Sequence, residues 1–293
     1  MEDKIKVTRR DFIKGVTATG ALLSVGGMAL TESGCTVEGA SQVFRVEDCP
    51  EHDGQSRHVR LDVMMDTLSD GGVKLYRTNA GHAWGGPAGI VHARDVVLIK
   101  VNCQWKCRGT TNTDLLRGLV HRILEHPDGF VGEVIIVENG QGQGAFNGRP
   151  RAWGSYAAWP VIDNGVYVNA EQQTALTVDH LVDSVFAGDP VSSFLLDDIR
   201  ENFISDTNHS GDGYRRVSDV SYPCFTSAGG NRIELREGIW NGSGHDDNLK
   251  IINVPVLKTH DGTGITGVLK HFYGVLSMAD GQFVIRHYLQ SGS

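Results

Sequence analysis

The sequence predicts an α/β fold, a mainly parallel sheet flanked by helices, from three observations. Residues 95–102 (DVVLIKVN), 133–137 (EVIIV) and 249–257 (LKIINVPVL) are continuous apolar runs, the pattern of strands buried on both faces of a parallel sheet. Between the first two, residues 113–126 (TDLLRGLVHRILEH) repeat Leu115, Leu116, Leu119, Val120, Ile123 and Leu124 at helical spacing. The 37 glycines, against 8 prolines, gather in turn-like clusters such as NGQGQG and SAGG, which suits a loop-rich chain alternating strands and helices.

In chain order, HVRLDVMM (58–65) opens a helix that ends near Asp70-Gly71-Gly72, and residues 73–76 form a short strand. The strand at 95–102 follows. Thr113 is placed to cap the next helix, and Pro127-Asp128-Gly129 stops it. Strand, helix and strand over residues 95–137 make a βαβ unit, expected to be right-handed with parallel strands. In the middle of the chain, LTVDHLVDSVF (176–186) and VSSFLLDDIRENF (191–203) read as helical, the second in part. RIELREG (232–238) alternates like a half-exposed strand. The last buried strand leads into Lys258-Thr259-His260, a glycine-rich turn, and a helical pattern carrying Lys270-His271.

A formal charge of −8 argues against nucleic acid as a partner, which would call for a basic face. The segment TRRDFIK (8–14) and the glycine-rich apolar run 15–30 form a twin-arginine export signal. That run is short of the ~20 residues a spanning helix needs. Cys35 follows Glu-Ser-Gly as in a lipoprotein cleavage box, but the acidic residue argues against a lipid anchor there. Residues 1–40 are therefore read as signal and linker, and 41–293 as one α/β domain. The partner implied is the twin-arginine translocation machinery and the location extracytoplasmic. That route carries folded proteins, often with a cofactor already inserted.

In a parallel sheet, ligands bind beyond the carboxyl ends of the strands. Three strands end there in chemically active loops: Lys100 and Asn102 before CQWKCRGTTNTD, Glu138-Asn139 before a glycine run, and Lys258-Thr259-His260. Gly109-Thr110-Thr111 and Gly262-Thr263-Gly264 are two expected helix starts, natural anion sites. Lys100, Lys258 and Lys270 add charge, so a phosphate or carboxylate is the expected ligand. The bland alternative is ordinary caps and turns. No phosphate-loop or dinucleotide fingerprint is present.

His260 is the leading acid–base candidate, followed by His271 and His287. Cys103 and Cys107 are four apart and open three readings: a disulfide, a metal or iron–sulfur ligand pair, or free thiols. The remaining cysteines are Cys35, Cys49 and Cys224. HSGDG (209–213) and SGHDDN (243–248) set carboxylates near glycines without the order of a calcium loop.

The motifs VLIKVN, GTTNTDLLRGLV, VIIVENGQG and IINVPVLKTHDGTGITGVLKHFYG together resemble the bacterial and archaeal domain-of-unknown-function 362 family over residues 96–274. The resemblance marks Lys100, Asn102, Thr110, Thr111, Lys258, Thr259, His260, Thr266 and Lys270 as positions of interest. Some members carry a twin-arginine signal and some a separate iron–sulfur domain. This chain departs from the pattern at Val101 and in the Cys103–Cys107 loop. Its ending, RHYLQSGS, is expected to be a truncation of the family domain. Two function classes follow: an exported, redox-linked enzyme with an anion at the strand ends, or a non-catalytic accessory protein that captures an anion or metal.

Overall fold

The structure, a computed structural model, describes residues 43–47, 58–102, 111–138, 162–163, 166–167, 178–199, 202–218, 220–260, 264–267, 271–272 and 275–278. The twin-arginine segment, Cys35, Cys49, Cys103, Cys107, Thr110, Lys270 and His287 lie outside the described residues. Among the described residues, no helix is long and apolar enough to cross a membrane.

The first helix, α1 (Val59–Asp70), is capped by His58, whose Nδ1 accepts from the Leu61 N–H. The short strands β1 (Tyr76–Arg77) and β2 (Gly85–Gly86) pair in parallel. Next come β3 (Val96–Lys100), α2 (Thr113–Leu124) and β4 (Glu133–Glu138). Asn112, rather than Thr113, caps α2, its Oδ1 accepting from the Leu115 N–H at 2.9 Å. A hairpin, β5 (Ile162–Asp163) with β6 (Val166–Tyr167), precedes a helical turn at Val178–His180 that runs on as a π-helical turn, Leu181–Val185. Strand β7 (Val191–Leu195) then joins β4 in parallel.

From there the chain builds a second sheet: β8 (Phe203–Ile204), β9 (Gly213–Val217), β10 (Val220–Thr226), β11 (Arg232–Glu234), β12 (Gly238–Trp240) and β13 (His245–Asp246). Its order is β13-β12-β11-β10-β9-β8, antiparallel except for β8 beside β9. The chain then returns as β14 (Leu249–Asn253) on the far side of β3. It ends with a hairpin, β15 (Lys258–His260) and β16 (Gly264–Thr266), and with β17 (Ser277–Met278) on β10.

The α/β class holds. A four-stranded, fully parallel sheet, β14-β3-β4-β7, forms the centre. Its two faces are covered differently. Val97, Ile99, Val101, Val134 and Ile136 pack with Leu61, Leu116, Leu119, Val120 and Ile123 of the helices, and with Val178 and Leu181. The alternate residues Val96, Leu98, Ile135 and Val137 pack instead with Tyr214, Phe225, Ile233 and Ile239 of the antiparallel sheet. Among the described residues, helices therefore flank the first of these faces, and the layers run helix, parallel sheet, antiparallel sheet. Period-2 side-chain alternation feeds two separate cores, which is why these strands are apolar throughout.

Two sequence readings change. Residues 191–195 are a strand, not helix, with a 3₁₀ turn at Leu196–Asp198 behind it. Ser192 sits at a buried position because its hydroxyl donates to Glu133 Oε1 at 2.7 Å, so a polar residue interrupts the apolar run. Of the helix start expected at Gly262-Thr263-Gly264, only Gly264 is among the described residues, and it opens a strand instead: Gly264–Thr266 pairs antiparallel with Lys258–His260. Ile265 and Thr266 are β-branched and favour the extended state.

Candidate functional site

Strands β3, β4 and β7 extend the sheet in one direction, and β14 is added on the other side of β3. The strand order reverses between β3 and β14, and ligands of parallel sheets lie beyond the carboxyl ends at such a point. Lys100 stands there, in register with Val137 of β4 and Asn253 of β14.

The side chain of Lys100 is 3% exposed, and its Nζ donates to Glu138 Oε1 and to the Val101 carbonyl, both at 2.6 Å. The charge expected to meet an external anion meets a carboxylate of the chain itself. His271 closes over this pair. Its Nε2 lies 2.8 Å from the Val101 carbonyl oxygen and 3.2 Å from Lys100 Nζ, while its Nδ1 meets the side-chain amide of Asn253. Burial, then the charges of Lys100 and Lys258, push His271 down to about 3 against the bond to Val101. The ring is neutral near pH 7. The ring faces two acceptor oxygens, Val101 O through Nε2 and Asn253 Oδ1 through Nδ1, and a neutral imidazole donates to one of them. Both ring nitrogens are used internally, so His271 is a fixed part of the floor.

Beside it, the Asn102 N–H donates to Thr111 Oγ1 at 2.8 Å, and the Thr111 N–H donates to the Asn102 carbonyl at 2.8 Å. Thr111 Oγ1 in turn donates to the Val254 carbonyl at 3.0 Å. Segment 103–110, with Cys103, Cys107 and Thr110, thus leaves and rejoins the described chain at one hydrogen-bonded pair. The buried Asn102 Oδ1 has no hydrogen-bond partner among the described residues. A buried acceptor of this kind calls for a donor from a neighbouring segment or a ligand.

Lys258 opens β15, is half-buried, and lies close enough for its charge to act on His271. Thr259 and His260 continue the same strand. The structure therefore brings Lys100, Asn102, Thr111 and the Lys258 charge to one edge, around His271. Asn253 is the residue that sequence reasoning passed over, and Glu138, noted there as a strand end, was not recognised as the partner of Lys100. Each ends a strand of the parallel sheet at this edge, and a lysine inside an apolar run signals that a carboxylate must be near. Cys224 is free and buried, so it forms no disulfide. Burial pushes its thiol up to about 11, and an inert structural role follows. Comparison with family models, with curated proteins and with solved structures finds no match for this chain.

Proposed function

We propose that this chain is an exported protein that binds a small phosphate- or carboxylate-bearing ligand at the carboxyl edge between β3 and β14. The observation that carries the reading is the floor itself: Lys100, Glu138 and His271 satisfy one another in a buried, neutral arrangement. Lys100 is offset by Glu138, and Lys258 adds a positive charge to this edge beside the N-terminus of α2. Asn102 Oδ1 supplies an acceptor for a ligand hydroxyl or amine. His260, next but one to Lys258, is the group that would move a proton if the ligand is turned over.

The export reading rests on TRRDFIK, and the redox-linked reading on Cys103 and Cys107, which stand in the sequence between Asn102 and Thr111. Membership of the domain-of-unknown-function 362 family rests on the quoted motifs alone. The internal saturation of Lys100 and His271 favours binding over chemistry at those two residues, which keeps the non-catalytic accessory protein as the second reading.

The test is a thermal-shift series with inorganic phosphate and small carboxylates. Ligand at about 100 times Kd should stabilise the fold by about 2.7 kcal/mol. Lys258→Gln should abolish the shift, and His260→Ala should retain it. Absence of a shift with every anion, or an unchanged shift in Lys258→Gln, would overturn the proposal.

A further inference from the structure

A second cluster lies on the antiparallel sheet, built from the two glycine-flanked loops that the calcium-loop pattern did not fit. Glu234 of β11 is fully buried. His209, from the turn before β9, places Nδ1 2.8 Å from Glu234 Oε1. His245 of β13 places Nε2 2.8 Å from Glu234 Oε2. These three donor atoms lie within 4.8 Å of one another. Three separate elements therefore bring two imidazole nitrogens and one carboxylate to a single point.

The rings are held in place. His209 stacks flat on Trp240, with centroids 3.7 Å apart at 8°, and His245 tilts against the same indole at 5.1 Å. Arg215 grips the carboxylate through two nitrogens, at 2.5 and 3.0 Å. Outer groups that fix a ligating carboxylate in this way are a usual part of metal sites. Two arginines face the carboxylate: Arg215 pairs with Glu234, and Arg232, whose Nε lies 3.6 Å from Glu234 Oε1, donates to Asp212 at 3.0 Å, so the four charges sum to zero before an ion enters. Both histidines are about a quarter exposed, 27% and 24%, which leaves an approach for an ion and room for a further ligand from water.

We propose that His209, Glu234 and His245 form a binding site for a divalent first-row transition ion of the zinc class. Two nitrogens and one carboxylate oxygen suit Zn²⁺ with an open fourth position, and they suit calcium and magnesium poorly, since those want oxygen ligands throughout. An ion at ordinary Zn–N distances would set neighbouring donors about 3.3 Å apart. The histidine–glutamate contacts open by roughly half an ångström to admit it, and the two rings draw together. Arg215 keeps its hold on the carboxylate from behind.

The experiment is a Co²⁺ titration of the full, chelator-stripped chain, followed by visible absorption and by competition with Zn²⁺. One equivalent should bind with ligand-field bands and no thiolate charge-transfer band. His209→Gln and His245→Gln should each weaken it by more than about 100-fold, beyond the usual effect of an outer-shell partner. A charge-transfer band would move the ion to Cys103 and Cys107. Unchanged binding in both variants would reveal adventitious histidine binding only, and either result overturns the site, as does an unsubstituted chain that binds no ion. Should the variants fail to fold, the unsubstituted chain still decides. Saturating Co²⁺ must quench the Trp240 emission, identified by its loss in Trp240→Phe, and an unquenched Trp240 refutes the proposal.

Discussion

Replacing Lys100 by methionine tests whether the β3 lysine is an internal counter-ion or a ligand hook. The substitution keeps the aliphatic stem in the core but strips Glu138 of its cation, with the carboxylate side chain only 4% exposed. Breaking a buried pair by removing one partner costs about 3–5 kcal/mol, because the remaining charge stays desolvated. Lys100 also donates to the Val101 carbonyl, but His271 contacts that oxygen as well, so the loss there is small. A value near 4 kcal/mol would move a urea midpoint by roughly 1.5 M for a slope of about 2.5 kcal/mol/M. The double variant Lys100→Met/Glu138→Met removes both charges and should return to within about 1 kcal/mol of the parent. It should also raise the His271 pKa, one of whose depressing charges is gone. Equal loss in the single and double variants, or a single-variant loss under about 1 kcal/mol, would refute the internal-pair reasoning.

Two further outcomes are expected. Glu133 opens β4, and its carboxylate accepts from Ser192, Ser227, Asn231 and the Gly229 N–H, tying the parallel sheet to the β10–β11 turn. Glu133→Ala leaves those donors without their acceptor and should destabilise by about 3 kcal/mol, whereas a loss below 1 kcal/mol in chemical denaturation would count against the tie. Stability should also fall on acidification below pH 6.5. There the unfolded chain protonates His271 while the fold, with its histidine at about 3, does not. The slope is at most about 1.4 kcal/mol per pH unit for this group, and it should flatten in His271→Gln between pH 6.5 and 4; an unchanged profile in that variant would show that another group is responsible.

The middle of the parallel sheet was legible because both faces of β3 and β4 are dry. Val96–Lys100 and Glu133–Glu138 had no reason to alternate, and the run at Leu249–Asn253 stood out although that strand is half-buried. The antiparallel layer was hidden for a physical reason. Apart from β9 and β10 its strands have three residues or fewer, and its buried positions include Arg215, Arg232 and Glu234, whose charges balance only with Asp212. Read one residue at a time, RIELREG looked half-exposed, yet Arg232, Ile233 and Glu234 are all buried. For the same reason Lys100 and Glu138 were each noticed as strand ends but not as a pair. Periodicity reports where a side chain faces, and pairing across 38 residues of chain leaves no local mark. The partly helical reading of 191–203 failed over 191–195 because Val191, Phe194 and Leu195 fall at helical spacing by coincidence, with Ser192 facing Glu133.

Glu234 gives the second layer its own acid resistance. Burial pushes its carboxyl up, but hydrogen bonds from Arg215, His245 and His209 outweigh that and hold it down to about 2. Its contribution to stability is complete above its ordinary value of 4.5 and is lost only as the pH falls toward 2.

The doubly bonded pair Asn102 and Thr111 separates what lies between them from what lies beneath. The two hydrogen bonds fix the ends of the eight residues between them, and lengthening a loop between fixed ends costs only about 0.6 kcal/mol of closure entropy for each doubling. For an engineer the pair is a natural graft point, with both ends set by the fold beside a lysine–glutamate pair that is already satisfied.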